Sequence, residues 1–176
     1  PDELRFLAVA EPDEASRERF ARAHDIPTEL TFRSWEDLAG RGPLAPALFN
    51  SSNDTTHFAS TMAAIEAGYQ VLLEKPVATS AAECATLTEA AERAGADVWV
   101  CHELRNTDFF SEVRRIVASG RLGDVVTVEH RENVAYWHMA HSFVRGNWSN
   151  SRASGPLILT KCCHDMDMLH WTLGRK

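Results

Sequence analysis

Lys75 is a candidate catalytic residue because of its position in the sequence. It lies between Glu74 and Pro76, directly after the apolar segment 71–73, which is typical of a buried strand. A lysine that is partly removed from water at the end of a strand can act as an acid or a base, because burial favours its neutral form. A solvated lysine in a turn is the more common interpretation, so the role of Lys75 depends on its surroundings.

A second candidate site is the polar segment 159–167. His164 and Asp167 are three residues apart and share one face if the segment is helical. Histidine is the usual proton carrier near neutral pH, and Lys161 lies three residues before it. The same residues also suit an ordinary helix start, in which Asp165 and Asp167 lie near the positive end of the helix dipole.

Zinc binding is the weaker interpretation of this segment. Cys162, Cys163 and His164 are consecutive, whereas structural zinc ligands are usually separated by short spacers. We therefore expect no metal ion at these three residues.

The spacing of apolar segments predicts the elements that position these residues. Short apolar runs predict buried strands, and a helical pattern follows each of them. These runs are 4–10, 47–50, 71–73 and 98–101. Ser80 and Glu83 form a capping box that predicts the start of a helix, and Gly95 is a suitable end for it. Alternating strands and helices predict a parallel sheet with helices on both faces over residues 1–104.

Residues 105–176 have a different pattern. A helix is predicted over 107–119, and apolar residues then alternate with polar ones over 124–131, as in a strand with one wetter face. The segment 132–155 has no clear period, and another helix is predicted over 164–173. This order predicts the start of an α+β domain with an open, mostly antiparallel sheet.

Glu11 is the polar residue that follows the first apolar run. Ligands of open α/β sheets bind beyond the carboxyl ends of the strands. A carboxylate there can accept hydrogen bonds from both hydroxyls of an adenosine ribose and repel a 2′-phosphate. The alternative is an acid that simply favours a helix N-terminus. The motif GxGxxG, which normally precedes such an acid, does not occur in this sequence.

Composition and charge exclude several classes of protein. The chain has 176 residues, of which 44% are hydrophobic and 24% charged, so we expect a globular protein rather than a disordered or fibrous one. A formal net charge of −7 disfavours a nucleic-acid partner, and no stretch approaches the ~20 apolar residues that span a membrane. Four cysteines without a CxxC pair favour reduced thiols in a cytoplasmic protein.

Several of these segments together resemble the Gfo/Idh/MocA oxidoreductase family. The resemblance extends from residue 4 to residue 174, and its most specific part is Glu74-Lys75-Pro76 at the end of a strand. The other matching segments are Asn53–His57, His102–Arg105 and the helix that contains His164-Asp165-Met166-Asp167.

The resemblance implies an N-terminal Rossmann domain over 1–104 and a C-terminal α+β domain over 105–176. It implies an oxidoreductase that transfers a hydride between NAD(P) and the hydroxyl or carbonyl carbon of a sugar, cyclitol or related polyol. Lys75 and His164 are implied as catalytic residues. Lys161 is a further catalytic candidate, because Thr160 occupies the position of an acidic residue in inositol-dehydrogenase-like members.

The residues expected to contact ligands follow from the same resemblance. Those expected to bind the cofactor are Glu11, Ser51, Ser52, Asn53, His57, Glu74 and Lys75. Those expected to contact the substrate are Arg105, Trp148, Lys161 and Asp165. The carboxylate of Glu11 favours NAD over NADP as the coenzyme. Ser52 replaces the proline that is usual in the family. For Arg105, the alternative to a substrate contact is an ion pair with Glu103.

The beginning of the chain and the absent glycine motif add further expectations. The first residue is Pro1, so we expect a fragment of an enzyme that is a homo-oligomer when complete, and weak dinucleotide binding by the isolated chain. One rival is a non-catalytic sugar- or partner-binding member of the same fold. Another is a metal hydrolase that would use Cys162, Cys163, His164 and Asp167.

Overall fold

The structure is a computed structural model that describes residues 4–146 and 148–174, and its residues group into two compact units. The first unit comprises Pro1–Ser52, Thr56–Leu73 and Ser80–Trp99. The second comprises Asn53–Thr55, Glu74–Thr79 and Val100–Lys176. The short segments 53–55 and 74–79 follow two strands of the first unit, so residues at these strand ends belong to the second unit.

The first unit is built from parallel strands and helices. Its strands are β1 (Val9–Ala10), β2 (Thr31–Phe32), β3 (Ala47–Asn50), β4 (Gln70–Leu73) and β5 (Val98–Val100). Its helices are α1 (Glu14–Ala23), α2 (Trp35–Ala39), α3 (His57–Glu66) and α4 (Ala81–Ala94), with a 3₁₀ turn at Thr28–Leu30. β1 pairs in parallel with β2, β3 pairs in parallel with β4, and the larger sheet has the order β3–β4–β5. This arrangement confirms the predicted α/β class.

The core of the first unit lies along β4. Val71 and Leu73 are completely buried, and α3 contributes Ala64 and Ile65 to the same core. Burying a side chain such as valine or leucine stabilises a fold by about 1.5–3 kcal/mol. The strand ends at Leu73, so the polar residues after it emerge from the most buried part of this unit.

The second unit is helical in the part of the chain that the structure describes. Its helices are α5 (Asp108–Ala118), α6 (Tyr136–Met139), α7 (Ser151–Ser154), α8 (Leu157–Thr160) and α9 (Cys163–Leu173), with a 3₁₀ turn at Glu103–Asn106 and a π-helical turn at Ala140–Val144. α5 packs against α9. The bounds of α9 confirm the helix expected over 164–173. No helix among the described residues is long and apolar enough to cross a membrane.

Two predicted strands differ from the structure. The first apolar run is a strand only at Val9–Ala10, and the segment 124–131 forms no strand at all. A strand requires a neighbouring backbone to complete its ladder, and no described residue pairs with 124–131. Val126 is 88% exposed, so its alternation with polar residues does not mark a face buried within the described residues.

The start of α4 provides a test of local sequence control. Ser80 accepts a hydrogen bond from the Glu83 amide (3.2 Å), and its hydroxyl donates to the Glu83 carboxylate (3.1 Å), as the capping box predicts. We expect Ser80→Ala to lower the free energy of unfolding by about 1 kcal/mol, because a helix amide loses its partner. Urea denaturation measures this loss. Thr86→Ala, at an exposed interior position of α4, is the control and should not destabilise the protein; equal losses would contradict the capping role.

Candidate active site

Lys75 makes the hydrogen bond that organises the polar cluster of the second unit. Its Nζ donates to the main-chain oxygen of Thr160 (2.9 Å), which lies 85 residues further along the chain. Thr160 is the last residue of α8, where carbonyl groups have no partner within the helix. This bond fixes the ammonium group beside the start of α9.

Cys163 lies at the start of α9, close to the Lys75 ammonium. Burial raises the pKa of the Cys163 thiol, and the positive charge of Lys75 opposes that rise. The cysteine is therefore a neutral neighbour of Lys75 near neutral pH.

His164 is the second residue of α9, and its side chain is only 9% exposed. Its Nε2 lies 3.5 Å from Oε1 of Glu103, which follows β5. Its Nδ1 is buried and has no hydrogen-bond partner among the described residues. The exposed Glu103 carboxylate can therefore orient the ring and stabilise a positive charge on it.

His102 places a second imidazole beside His164. The two ring centroids are 5.9 Å apart in an edge-to-face arrangement, and His102 Nε2 lies 3.8 Å from Oδ1 of Asp167. Burial lowers the pKa of His102, and Asp167 partly opposes this effect. The Nδ1 atom of His102 is also buried without a partner in the described part of the chain. Because unpartnered buried polar atoms are costly, these nitrogens are places where a ligand or water can bind.

Arg105 forms a two-point ion pair with Asp167. Its Nε donates to Oδ2 (2.8 Å), and its Nη2 donates to Oδ1. This hydrogen bonding raises the pKa of Arg105. The alternative that Arg105 pairs with Glu103 is wrong, because the guanidinium group is hydrogen-bonded to Asp167 instead. Its contact with substrate stays a prediction.

An open cavity of about 450 Å³ adjoins this histidine cluster. Its lining combines a few polar groups with apolar side chains, as is usual for a small-molecule site. The lining residues are His102, Ile158, Leu159, Cys163, Met166, Asp167 and His170.

Lys161 and Asp165 have partners of their own. The Lys161 Nζ lies 3.4 Å from Oε1 of Glu132, and Asp165 Oδ1 lies 2.6 Å from Nε2 of His130. Lys161 therefore pairs with the Glu132 carboxylate, whereas Lys75 donates to the Thr160 carbonyl. The substrate contacts of Lys161 and Asp165 stay predictions.

Trp148 is held by a buried acid. Its Nε1 donates to Oδ2 of Asp54 (3.0 Å), and its ring lies 6.4 Å from that of Phe143. Trp148 is 36% exposed, so one part of the indole remains available to a ligand.

In the first unit, the loop after β3 is organised from within. Asn50 donates to Ser60 and Thr61 (both 2.8 Å) and accepts from the Ser52 hydroxyl (2.8 Å). His57 is almost completely buried, and its Nε2 lies 2.8 Å from the main-chain oxygen of Ser52. Both residues therefore hold the shape of the loop, whereas the exposed residues of this unit suited to contact a ligand directly are Ser51 and Ser52. Asn53 is also exposed but belongs to the second unit.

The two acids predicted to bind the cofactor also have main-chain contacts. Glu11 lies directly after β1, and its Oε1 accepts from the Asp13 amide (2.8 Å). Glu74 accepts from the Lys75 amide (3.3 Å). These bonds fix the carboxylates next to the ends of their strands.

No role follows from the sequence for three residues that shape these sites: Asn50, Asp54 and His102. Glu103, expected as an alternative partner of Arg105, lies beside His164 instead. A position directly after a strand, or at its last residue, was the available signal for Asn50 and His102. The role of Asp54 depends on the hydrogen bond that it accepts from Trp148, a residue 94 positions away in the sequence.

Comparison with known proteins shows which family the chain matches. A model described as an oxidoreductase family with an NAD-binding Rossmann fold (GFO_IDH_MocA) matches residues 1–102, and a model of that family's C-terminal alpha/beta domain matches residues 114–176. The chain is 34% identical over 143 residues to 1,5-anhydro-D-fructose reductase from Ensifer adhaerens, covering 80% of this chain and 41% of that protein. It is 29% identical over 180 residues to inositol 2-dehydrogenase 2 from Saccharopolyspora erythraea, covering 98% and 47%.

A solved structure shows the same fold. The inositol dehydrogenase homologue from Azotobacter vinelandii, complexed with NAD⁺, aligns with a TM-score of 0.85 at 23% identity, covering 97% of this chain and 46% of that one. The chain thus spans less than half the length of these relatives.

The buried Asn50 network yields a prediction. Asn50→Ala removes the partner of two buried hydroxyls and of the Ser52 loop, so we expect the free energy of unfolding to fall by about 1–3 kcal/mol. Denaturant unfolding measures this loss. Asn106→Ala, at an exposed position, is the control and should have almost no effect. An Asn50→Ala protein as stable as this control would show that the network does not hold the loop.

Proposed function

The chain belongs to the Gfo/Idh/MocA oxidoreductase family, and we propose that its native gene product is an NAD-dependent dehydrogenase of CH–OH groups in a sugar, cyclitol or related polyol. The observation that carries this proposal is the Lys75 ammonium, held by the Thr160 carbonyl beside the helix that begins with Cys163 and His164. The names of the relatives, an inositol dehydrogenase and an anhydrofructose reductase, support a polyhydroxylated substrate.

The residues present fit the ribose end of NAD. One oxygen of Glu11 is fixed by the Asp13 amide, and no described residue donates to the other, which leaves it for a ribose hydroxyl. The exposed Ser51 and Ser52 of the same unit offer further polar groups, with the loop shape maintained by Asn50 and His57. Bound NAD supplies the acceptor for the two electrons of alcohol oxidation.

The chemistry assigned to this chain is proton transfer and charge stabilisation. In the oxidation direction, Nε2 of His164 takes the proton of the substrate hydroxyl, and the nearby Glu103 carboxylate stabilises the imidazolium that forms. The Lys75 ammonium stabilises the negative charge that develops on the substrate oxygen, and this is the largest expected contribution. The cavity beside His102 and Asp167 offers space for the rest of the polyol.

The proposal also includes the domain boundary, cellular location, oligomeric state and partners of the enzyme. We place the domain boundary at residue 104, and we assign the protein to the cytoplasm as a homo-oligomer without nucleic-acid or membrane partners. The four cysteines are free, which supports a reducing compartment, and the net charge of −7 supports the absence of nucleic acid.

Substitutions in the polar cluster test the catalytic assignment. We expect Lys75→Ala and His164→Ala each to lower kcat/KM by about 10²-fold or more, the usual range for a positioned acid or base. Lys161→Ala should cost a similar factor if a second ammonium contacts the substrate. Thr160→Ala is the matched control and should cost little, because the hydrogen bond to Lys75 uses its main-chain carbonyl.

Steady-state kinetics of the native gene product with NAD and a panel of inositols and sugars measures these effects. Near wild-type activity in Lys75→Ala or His164→Ala would refute the assignment. Near wild-type activity in Lys161→Ala alone would remove only Lys161 from the site. A folded protein that turns over none of the panel would favour the non-catalytic binding protein.

Glu11 gives a separate prediction for coenzyme choice. Its carboxylate should repel a 2′-phosphate, so Glu11→Ser should reduce the preference for NAD over NADP by about tenfold or more, corresponding to about 1.4 kcal/mol. The ratio of kcat/KM for the two coenzymes is the measurement. Glu14→Ser, in the first turn of α1, is the control and should leave the ratio unchanged. A wild-type protein that prefers NADP would exclude Glu11 as the ribose ligand.

A further inference from the structure

Three side chains that can ligate a metal converge in the second unit, apart from the consecutive cysteines discussed above. His130 and Glu132 come from the extended segment between α5 and α6, and Asp165 comes from the first turn of α9. One ligand atom from each residue lies within 4.8 Å of the other two. The closest pair is His130 Nε2 and Asp165 Oδ1, which are 2.6 Å apart.

These donors match the preferences of zinc. Zinc binds imidazole nitrogen and carboxylate oxygen at about 2.0–2.2 Å, so tetrahedral ligand atoms lie about 3.3 Å from one another. The observed atoms can reach that spacing through small side-chain rotations. We propose that His130, Glu132 and Asp165 bind one zinc ion, with a fourth position left to water or a substrate hydroxyl.

The surroundings of the three ligands support a divalent cation. The carboxylates of Glu132 and Asp165 and the ammonium of Lys161 together carry a net charge of −1. His130 and Glu132 are exposed residues, whereas the Asp165 side chain is only 14% exposed, so Asp165 is the ligand that packing holds in place.

Lys161 competes with the ion. Its Nζ lies 3.4 Å from Oε1 of Glu132, so the ammonium must move away when Glu132 ligates zinc. Removing this charge should therefore favour zinc, whereas removing a ligand should disfavour it. These opposite signs separate a metal site from an ordinary cluster of ion pairs, and they depend on geometry rather than on the proposed dehydrogenase activity.

Calorimetric titration of the 176-residue chain with Zn²⁺, in a buffer that does not chelate metal, tests the proposal. We expect one ion per chain. His130→Gln and Asp165→Asn should each weaken binding by at least about tenfold, since even partners that only support a metal ligand often matter that much. Lys161→Met should tighten binding. Co²⁺ substitution adds an independent readout, because its visible absorption reports the ligand geometry and should be altered in His130→Gln.

The controls are His141→Gln and Asp124→Asn, which change exposed residues outside the cluster and should bind zinc as the wild type does. Circular dichroism of each variant verifies that it is folded. Wild-type zinc affinity in folded His130→Gln and Asp165→Asn would overturn the proposal. Binding that survives in those variants and disappears when Cys162 and Cys163 are both changed to serine would assign the ion to the thiols and overturn it equally.

Discussion

The hydrogen bond from Lys75 to the Thr160 carbonyl is the interaction on which the candidate active site depends. It joins the short segment after β4 to the end of α8, across 85 residues of chain. Thr160 is only 2% exposed, so loss of the bond would leave a buried carbonyl without this partner, at a cost of about 1–3 kcal/mol. Because α9 begins only three residues after Thr160, the same bond determines where Cys163 and His164 lie relative to the ammonium group.

The start of α9 is stabilised by charge pairing on several sides. Asp165 pairs with His130, and Asp167 pairs with Arg105 while also lying near His102. Carboxylates are favourable near a helix N-terminus, and their partners add hydrogen bonds to that effect. The result is a helix start whose acids are already paired, whereas the buried Nδ1 atoms of His102 and His164 lack partners among the described residues. The Nε2 atom of His164, which lies 3.5 Å from the exposed Glu103 carboxylate, and the Lys75 ammonium are the groups proposed to contact the substrate.

Local features of the fold were predictable from the sequence. Ala47–Asn50 is a strand with the expected bounds, and Ser80 caps α4 through the Glu83 amide, because both features depend on residues close together in the chain. The strand expected over 124–131 failed because alternation records side-chain pattern, whereas a strand also needs a partner backbone. Neither propensity nor periodicity contains that information.

The sequence is enough to propose residues for the candidate site, but it does not contain their contacts. Lys75 and His164 were identified from motif position, yet the Thr160 carbonyl carries no sequence signal, since every residue has one. Arg105 was expected to pair with a substrate or with Glu103, and Asp167 is its partner because the fold brings residues 62 apart into contact. Long-range pairing of this kind depends on packing that no local pattern encodes.

The central claim is that Lys75 and His164 act on one substrate hydroxyl. A crystal structure of the native gene product with NAD and a bound polyol tests it most directly. The account predicts that Nζ of Lys75 and Nε2 of His164 both lie within about 3.2 Å of the same hydroxyl oxygen. A bound polyol whose reacting hydroxyl contacts neither atom would contradict the account.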